Sequence, residues 1–311
     1  MYQNQLIFQS IKIMMNFKLL KQLYQINSKS GKEEKIAEFI MDFIAKNYRN
    51  VVVEFDTIGN LYITKGKADK YPVIAAHLDQ VGSYQGAITI FRRENIMIGI
   101  GEHGKQVNLG ADDKNGIWIA LELLRTEPVL KVVFFPGEEI GCVGSNACDM
   151  SFFDDAKFVI QCDRRNGKDF IYTAGCVPLC DFNFPSPQLK QKYGYINTTG
   201  LMTDVQTLKK RGLNVACCNL SCGYYNPHLE TEYTDVGELI NCLQFVREIV
   251  QTVDYTPHEY KAPTYPSCHY PGYNGYAGKN AKEPEIDWNS DWDNWNDDYY
   301  ASWYAQYYKR Y

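Results

Sequence analysis

The sequence predicts an α/β protein with a doubly wound mixed sheet that is flanked by helices. Four apolar runs, each the length of a buried strand, lie at 72–76, 131–135, 158–162 and 214–220. Segments with helical spacing of apolar residues separate them, and alternation of strands with helices is typical of this fold class. Each run also leads into a polar cluster. In such sheets ligands bind beyond the carboxyl ends of the strands, so these clusters predict one shared site.

The first part of the chain predicts two helices and a pair of strands. Apolar residues recur at helical spacing from Leu19 to Ile26, which predicts a short helix. Ser30-Gly31-Lys32-Glu33 matches a capping box, so we expect Ser30 to cap a second helix and Glu33 to reach back. Strands are expected at 51–56 and 61–65. Three further helices are expected at 114–125, 204–211 and 234–253.

Bulk properties exclude several classes of function. A net charge of −5 over 311 residues argues against a nucleic-acid or anionic-membrane surface. No run approaches the ~20 apolar residues of a membrane span. Residues 1–15 lack the basic start and continuous apolar core of a signal peptide, so we expect a cytoplasmic protein. The ten cysteines include no CxxC pair and are expected to be buried thiols.

Two His residues and several carboxylates follow the apolar runs. His77-Leu78-Asp79 ends the first run, and a carboxylate two residues beyond a His can hold its second ring nitrogen. Asp112 and Asp113 precede a helix; capping explains one carboxylate there but not two in succession. Glu138 and Glu139 follow a buried strand, where paired acids are costly unless a cation lies nearby.

Asp163 closes another apolar run, and His228 lies in the loop after the last one. Each is ambiguous alone, since Asp163 is equally typical of a turn. Taken together, the two His residues and three of the carboxylates form the nitrogen and oxygen donor set that zinc accepts in hydrolytic sites. The candidate ligands are His77, Asp112, Glu139, Asp163 and His228.

These segments resemble the co-catalytic zinc peptidases, namely the peptidase T and aminoacylase family and the related single-domain zinc aminopeptidases. HLDQVG at 77–82 looks like the family's HxDxVG motif, and GADDKNG at 110–116 looks like GADDKxG. EEIGCVGS at 138–145 resembles EEIGxxG, and GYYNPH at 223–228 is similar to GYNxH. Ser28 to Glu34 resembles the SxSGxEE start of these enzymes.

The resemblance implies a role for each residue. His77 and Asp163 would hold one zinc, Glu139 and His228 the other, and Asp112 would bridge both. Asp79 would orient His77, Glu138 would be the general base, and the Asp112–Asp113 peptide bond is expected to be cis. The cofactors would be two divalent ions, zinc with cobalt or manganese as alternatives. With a hydroxide held between the ions, the expected reaction is hydrolysis of an amide bond.

The spacing departs from the family in one respect. Only 228 − 163 = 65 residues separate two of the ligands, and 112 − 77 = 35 separate two others. Neither interval leaves room for an inserted lid domain, so we expect a zinc-peptidase-like α/β/α sandwich without one. Tyr224 or Tyr225 is a candidate oxyanion donor, whereas His103 and Lys105 are expected to be exposed loop residues.

We therefore expect a hydrolase of the metallopeptidase class, most simply a cytoplasmic aminopeptidase that acts on small peptides. An N-acyl amino acid deacylase needs the same metals and base and remains an alternative, as does a non-catalytic binding module. We divide the chain into an extension at 1–17, a catalytic domain at 18–255 and a tail at 256–311. The tail holds ten Tyr and four Trp after residue 264, which fits a flexible appendage or a segment that docks on a protein partner or second subunit.

Overall fold

A mixed sheet forms the centre of the protein, as the sequence predicted. The computed structural model describes residues 15–82 and 84–260. In this part of the chain the strands are β1 Val51–Phe55, β2 Leu61–Lys65, β3 Tyr71–His77, β4 Thr89–Arg93, β5 Ile96–Ile100, β6 Gln106–Val107, β7 Leu130–Phe135, β8 Ala156–Arg164, β9 Asp169–Ala174, β10 Val177–Pro178, β11 Ile196–Gly200, β12 Cys217–Ser221, β13 Tyr224–Tyr225 and β14 Tyr233–Asp235. The four predicted apolar runs correspond to β3, β7, β8 and β12.

Strand order explains why distant polar residues meet. The large sheet runs β1-β2-β7-β3-β8-β12-β9-β10, with β11 paired to β9. The adjacent strands β7, β3, β8 and β12 are all parallel to one another. Their carboxyl ends therefore reach the same edge of the sheet. The outer pairs β1–β2 and β12–β9 are antiparallel, which makes the sheet mixed.

Helices pack against both faces of this sheet and bury two apolar clusters. They are α1 Phe17–Tyr24, α2 Glu34–Asn47, α3 Ala111–Thr126, α4 Val143–Ala147, α5 Pro187–Tyr193, α6 Asp204–Lys210 and α7 Val236–Thr252, with a 3₁₀ turn at Met150–Phe153. None of the helices among the described residues is long and apolar enough to cross a membrane. The predicted helices are all present, with ends that differ by a few residues.

The predicted capping box is wrong. Helix α2 begins at Glu34 with Glu33 as its N-cap, and no side chain caps it. Ser30 Oγ instead donates a hydrogen bond to Asp79 Oδ2 at 2.7 Å. Glu33 Oε1 accepts from the backbone N–H of Gly31 at 2.9 Å. The long-range bond to Asp79 therefore replaces the local capping bond that the sequence suggested.

A second, five-stranded sheet was not predicted. It runs β13-β14-β5-β4, with β6 paired to β5. Its strands come from two distant parts of the chain, the interval between His77 and Asp112 and the segment around His228. This small sheet therefore fixes the loops of two candidate ligands relative to each other. In the described part of the chain, neither the 77–112 interval nor the 163–228 interval forms a lid domain, in agreement with the spacing argument.

The cysteines mostly follow the expectation. Eight of them are free and buried, whereas Cys176 is disulfide-bonded. The expected tail lies almost wholly outside the described residues, as does most of the N-terminal extension.

Candidate active site

His77 is the last residue of β3 and is fully buried. Its Nδ1 lies 3.0 Å from the backbone oxygen of Asp79 and 3.3 Å from Asp79 Oδ1. The same carboxylate accepts the backbone N–H of Glu138 at 2.9 Å and that of Glu139 at 3.2 Å. Asp79 therefore contacts both the His77 ring and the backbone of Glu138 and Glu139. With Nδ1 held in this way, Nε2 faces the carboxylates across the sheet edge.

Asp112 occupies the centre of the cluster. Its Oδ1 lies 3.1 Å from His77 Nε2, and its Oδ2 lies 3.3 Å from His228 Nε2. The residue follows Gly110, whose φ of +62° is in the left-handed region, and the peptide bond to Asp113 is cis, as the resemblance implied. One carboxylate thus points an oxygen at each of two imidazoles.

Asp163 and His77 form one of two groups of candidate ligands, which we call the first half of the site. Its Oδ1 lies 3.4 Å from His77 Nε2. Gln161 Nε2 donates to Asp163 Oδ2 at 3.2 Å, and the Asn219 side chain bonds both backbone groups of Asp163 at 2.9 and 3.0 Å. Tyr224 OH donates to Asp163 Oδ1 at 3.4 Å. Because these partners come from β8 and β12 of the large sheet and from β13 of the small sheet, strands of both sheets fix the carboxylate.

Glu139 and His228 form the second half. Glu139 Oε1 lies 2.8 Å from His228 Nε2. Both residues lie on loops rather than strands, and His228 has a φ of +66° and a side chain that is 43% exposed. The structure therefore brings all five candidate ligands together in two groups that share Asp112.

Three of the four distances between a His nitrogen and a candidate carboxylate oxygen fit a small cation with nitrogen and oxygen ligands. Zinc binds His and carboxylate ligands at about 2.0–2.1 Å in a tetrahedral arrangement, which places neighbouring ligand atoms about 3.3 Å apart. The observed separations of 3.1, 3.3 and 3.4 Å agree with that edge length, whereas Glu139 Oε1 and His228 Nε2 are closer, at the 2.8 Å of a direct hydrogen bond. Asp113 also lies close to His77 and Asp163. However, its oxygens accept hydrogen bonds from the backbone N–H groups of His77 and Gly116. Asp113 therefore supports the backbone beside the candidate ligands His77 and Asp112.

Charge in the site is unbalanced without a cation. Burial raises the pKa of Asp163 well above its usual range, and the neighbouring charge of Asp112 raises it further. Burial likewise raises the pKa of Glu138, with Asp163 as the next cause. Burial opposes protonation of His77, yet the charge of Asp163 and hydrogen bonds to Asp112 and Asp79 raise its pKa overall. Bound cations would relieve this repulsion and favour the ionised carboxylates.

Glu138 is placed differently from Glu139. It is 8% exposed, and its carboxylate does not contact either imidazole within hydrogen-bond distance among the described residues. The Sγ of Cys142 lies 3.8 Å from Glu138 Oε1. A carboxylate adjacent in sequence to a candidate ligand, yet not joined to the His residues, is a candidate for proton transfer and not for metal binding.

Glu232 is a site residue that the sequence analysis missed. It is fully buried and accepts backbone N–H groups from Leu109 at 2.8 Å, Ala111 at 3.2 Å and Asp112 at 3.3 Å. Because Glu232 belongs to the loop of His228 and holds the loop of Asp112, it couples the two. No local pattern marked it, since a Glu in a polar loop is ordinarily solvated.

Asp204 was also missed, although its segment was correctly predicted as a helix. This buried carboxylate accepts from Ser145 Oγ at 2.6 Å and from Gln161 Nε2 at 3.1 Å. Gln161 thereby bridges Asp204 and Asp163. Burial raises the pKa of Asp204 to about 6.

The structure places the two candidate oxyanion donors, Tyr224 and Tyr225, in different surroundings. Tyr224 is buried and faces Asp163, whereas Tyr225 OH donates to Glu238 Oε2 at 2.8 Å and points away from the cluster. Of the two tyrosines, only Tyr224 therefore lies in position to act in the site. His103 and Lys105 are exposed, as expected.

Comparison with known proteins identifies the fold. The structure is similar to aminopeptidase PepT from Bacillus cereus, with a TM-score of 0.60 and 16% identity over 75% of this chain and 96% of that one. It is similar to a tripeptidase from Staphylococcus aureus, with a TM-score of 0.62 and 14% identity over 76% and 96% of the two chains. It is also similar to a TET aminopeptidase from a marine-sediment thaumarchaeote, with a TM-score of 0.58 and 11% identity over 76% of this chain and 97% of that one.

No protein-family profile and no curated protein sequence matches the chain significantly. The likeness therefore lies in the fold, a central mixed sheet flanked by helices.

Proposed function

We propose that this protein is a metal-dependent hydrolase that cleaves amide bonds of small peptides, as an aminopeptidase. One observation carries the proposal. Asp112 lies between two imidazoles, each of which has a second carboxylate beside it, and both of its own distances to them suit divalent cations. The fold shared with structures of peptidases supports the same conclusion.

The proposed ligands divide into two sets. His77 and Asp163 would hold one ion, Glu139 and His228 the other, and Asp112 both. The donor set suits zinc, with cobalt or manganese as alternatives. When bound, such ions would polarise the scissile carbonyl and acidify a water molecule.

Glu138 is the proposed general base. It would accept a proton from the attacking water and return it to the departing amide nitrogen. Its burial supports this role, because a raised pKa brings a carboxyl group closer to the pKa of its proton donor. Asp79 would keep His77 in the orientation that presents Nε2, and its bonds to the N–H groups of Glu138 and Glu139 would hold both glutamates.

A Glu138→Gln variant tests the role of Glu138. We expect kcat to fall by roughly 10²- to 10⁴-fold, since this is the usual contribution of a positioned base. Metal content, measured by elemental analysis, should stay near two ions per chain. Glu230→Gln is the matched control, because Glu230 is exposed on the loop beyond His228.

Substrate class is tested with the wild-type protein. Aminoacyl anilides, dipeptides, tripeptides and N-acyl amino acids should be assayed with zinc, cobalt or manganese. Hydrolysis of peptides with a free amino terminus is expected, whereas hydrolysis of N-acyl amino acids alone would indicate a deacylase. Unchanged activity of Glu138→Gln, or no hydrolysis of any substrate by the metal-loaded protein, would contradict the proposal.

A further inference from the structure

The two carboxylate oxygens of Asp163 face different groups. Oδ1 lies 3.4 Å from His77 Nε2 and accepts a hydrogen bond from Tyr224 OH at 3.4 Å. Oδ2 accepts a hydrogen bond from Gln161 Nε2 at 3.2 Å. The carboxylate thus turns one oxygen toward the other candidate ligands and the second oxygen toward a neighbouring amide. The orientation of Asp163 therefore depends on what holds Gln161.

Gln161 reaches Asp163 because both residues lie on β8. Side chains two positions apart on a strand point to the same face of the sheet. Gln161 is fully buried, so water cannot replace a lost partner of its amide group. Each hydrogen of the amide, and its oxygen, therefore needs a partner within the protein.

A backbone group fixes which end of the amide is the oxygen. The N–H of Val205 can only donate, and it lies 3.1 Å from the Oε1 end of Gln161. That end must therefore be the acceptor. It also accepts a hydrogen bond from Thr203 Oγ1 at 2.7 Å. A flipped amide would place its N–H groups against the N–H of Val205, so the nitrogen must lie on the side of Asp163.

Both hydrogens of Gln161 Nε2 have carboxylate acceptors. One is donated to Asp163 Oδ2 and the other to Asp204 Oδ2, at 3.1 Å. Asp204 is itself fully buried, and its other oxygen accepts from Ser145 Oγ at 2.6 Å. The amide therefore cannot turn toward another partner without depriving a buried carboxylate of a hydrogen bond.

We propose that Gln161 is a positioning residue, which holds Oδ2 of Asp163 and leaves Oδ1 as the oxygen that Asp163 offers to a cation. This inference rests on the proposed function, because it concerns how one ligand of the same site would bind its ion. Hydrogen bonds to a ligating carboxylate fix its orientation and strengthen metal binding. Without the amide, Asp163 is free to offer both oxygens to one ion, as carboxylates do in sites of higher coordination number.

A Gln161→Met variant tests the proposal, because Met has a similar length and volume but no amide. Cobalt(II) is the probe, since its visible absorption is strong in four-coordinate sites and weak in six-coordinate ones. We expect the affinity for cobalt, measured by competition with a chelator, to fall by about 10- to 100-fold. The visible absorption per bound cobalt should also fall, because a second oxygen from Asp163 raises the coordination number.

Gln206→Met is the matched control. Gln206 is also a buried glutamine, on α6, and its Nε2 donates to the backbone oxygen of Ala174 at 2.7 Å. Each variant thus loses one buried amide, but only Gln161→Met loses the donor to Asp163. Gln206→Met should keep the cobalt affinity and spectrum of the wild type. Circular dichroism and urea unfolding of each protein distinguish a loss of folding from a loss of positioning.

A second variant, Gln161→Glu, separates positioning from the structural bonds of the same side chain. It keeps an oxygen that accepts from Thr203 and Val205 and replaces only the donor that faces Asp163. At pH 8 we expect it to weaken cobalt binding by at least as much as Gln161→Met, because an oxygen then stands against Asp163 Oδ2. This variant provides the test if Gln161→Met does not fold.

Wild-type cobalt affinity and spectrum in a folded Gln161 variant would overturn the inference and leave the proposed function standing. An equal loss of affinity in Gln206→Met would also overturn it, since the effect would then follow from loss of any buried amide in this region. The proposed function fails separately, if the metal-loaded wild-type protein cleaves no peptide whatever the cobalt spectra are.

Discussion

The two histidines of the site occupy equivalent positions around Asp112 but very different surroundings. His77 is fully buried at the end of a central strand, and its ring is held by Asp79. His228 is 43% exposed on a loop with left-handed backbone. The half of the site that contains His77 and Asp163 thus lies on strands, whereas the half that contains Glu139 and His228 lies on loops. On the proposed function, the first half would therefore bind its ion more tightly than the second.

Removal of the shared carboxylate should have the largest effect. In Asp112→Ala both halves lose a ligand, so we expect kcat/KM to fall by more than about 10³-fold and metal content to drop well below two ions per chain. Elemental analysis and peptide hydrolysis measure the two effects. Asp69→Asn, at an exposed turn, is the control. Retention of two ions in Asp112→Ala would show that the halves are independent.

Substitution of each His separately tests the comparison directly. His77→Ala leaves buried carboxylates without their partner and should lower the free energy of unfolding by about 3–5 kcal/mol. His228→Ala removes a half-exposed ring and should cost less than about 1 kcal/mol, while one ion per chain is lost. Urea unfolding of the two variants, with metal analysis, makes the measurement. Equal destabilisation would remove the distinction between the halves.

Glu232 should affect both halves more moderately. Glu232→Gln keeps the shape of the side chain but leaves one acceptor oxygen for three backbone N–H groups. Loss of such supporting bonds usually costs about 10- to 100-fold in metal affinity or activity. Competition with a chromophoric chelator measures the affinity, with Glu230→Gln as control. Wild-type affinity in the variant would mean that the small sheet alone fixes the two loops.

Glu33 lies near Asp79, and its substitution is expected to change stability only at high pH. Burial raises its pKa from 4.5 to about 7, and its Oε2 has no hydrogen-bond partner among the described residues. The folded protein thus holds this proton more tightly than the unfolded chain. Its contribution to stability is fully present below pH 4.5 and is lost as the pH rises through about 7.

A Glu33→Gln substitution removes that dependence. At pH 5 its melting temperature should differ little from wild type, whereas at pH 8 the variant should be more stable, by about 3 kcal/mol at most. Thermal unfolding at the two pH values checks the sign. Glu34→Gln, one residue further along, is the control. If the variant is less stable than wild type at pH 8, the ionised Glu33 carboxylate stabilises the folded protein, contrary to this prediction.

The sequence predicted the large sheet, the helices, the five candidate ligands and Asp79 beside His77, but not the other residues that support them. Strand-end residues such as His77 and Asp163 were identified because a buried strand that ends in a polar side chain is a local pattern. Ser30 was misassigned because a local capping bond and a long-range bond to Asp79 are both compatible with the same few residues. Glu232 and Asp204 carry no local signal at all, since their partners lie far away in the chain.

By itself, the sequence determined which residues stand at the carboxyl ends of strands, because apolar periodicity and polar termini are properties of neighbouring residues. Only the tertiary structure decided how these residues are distributed between a rigid half and a loop-borne half. That distribution depends on strand order and on buried hydrogen bonds between segments up to 123 residues apart.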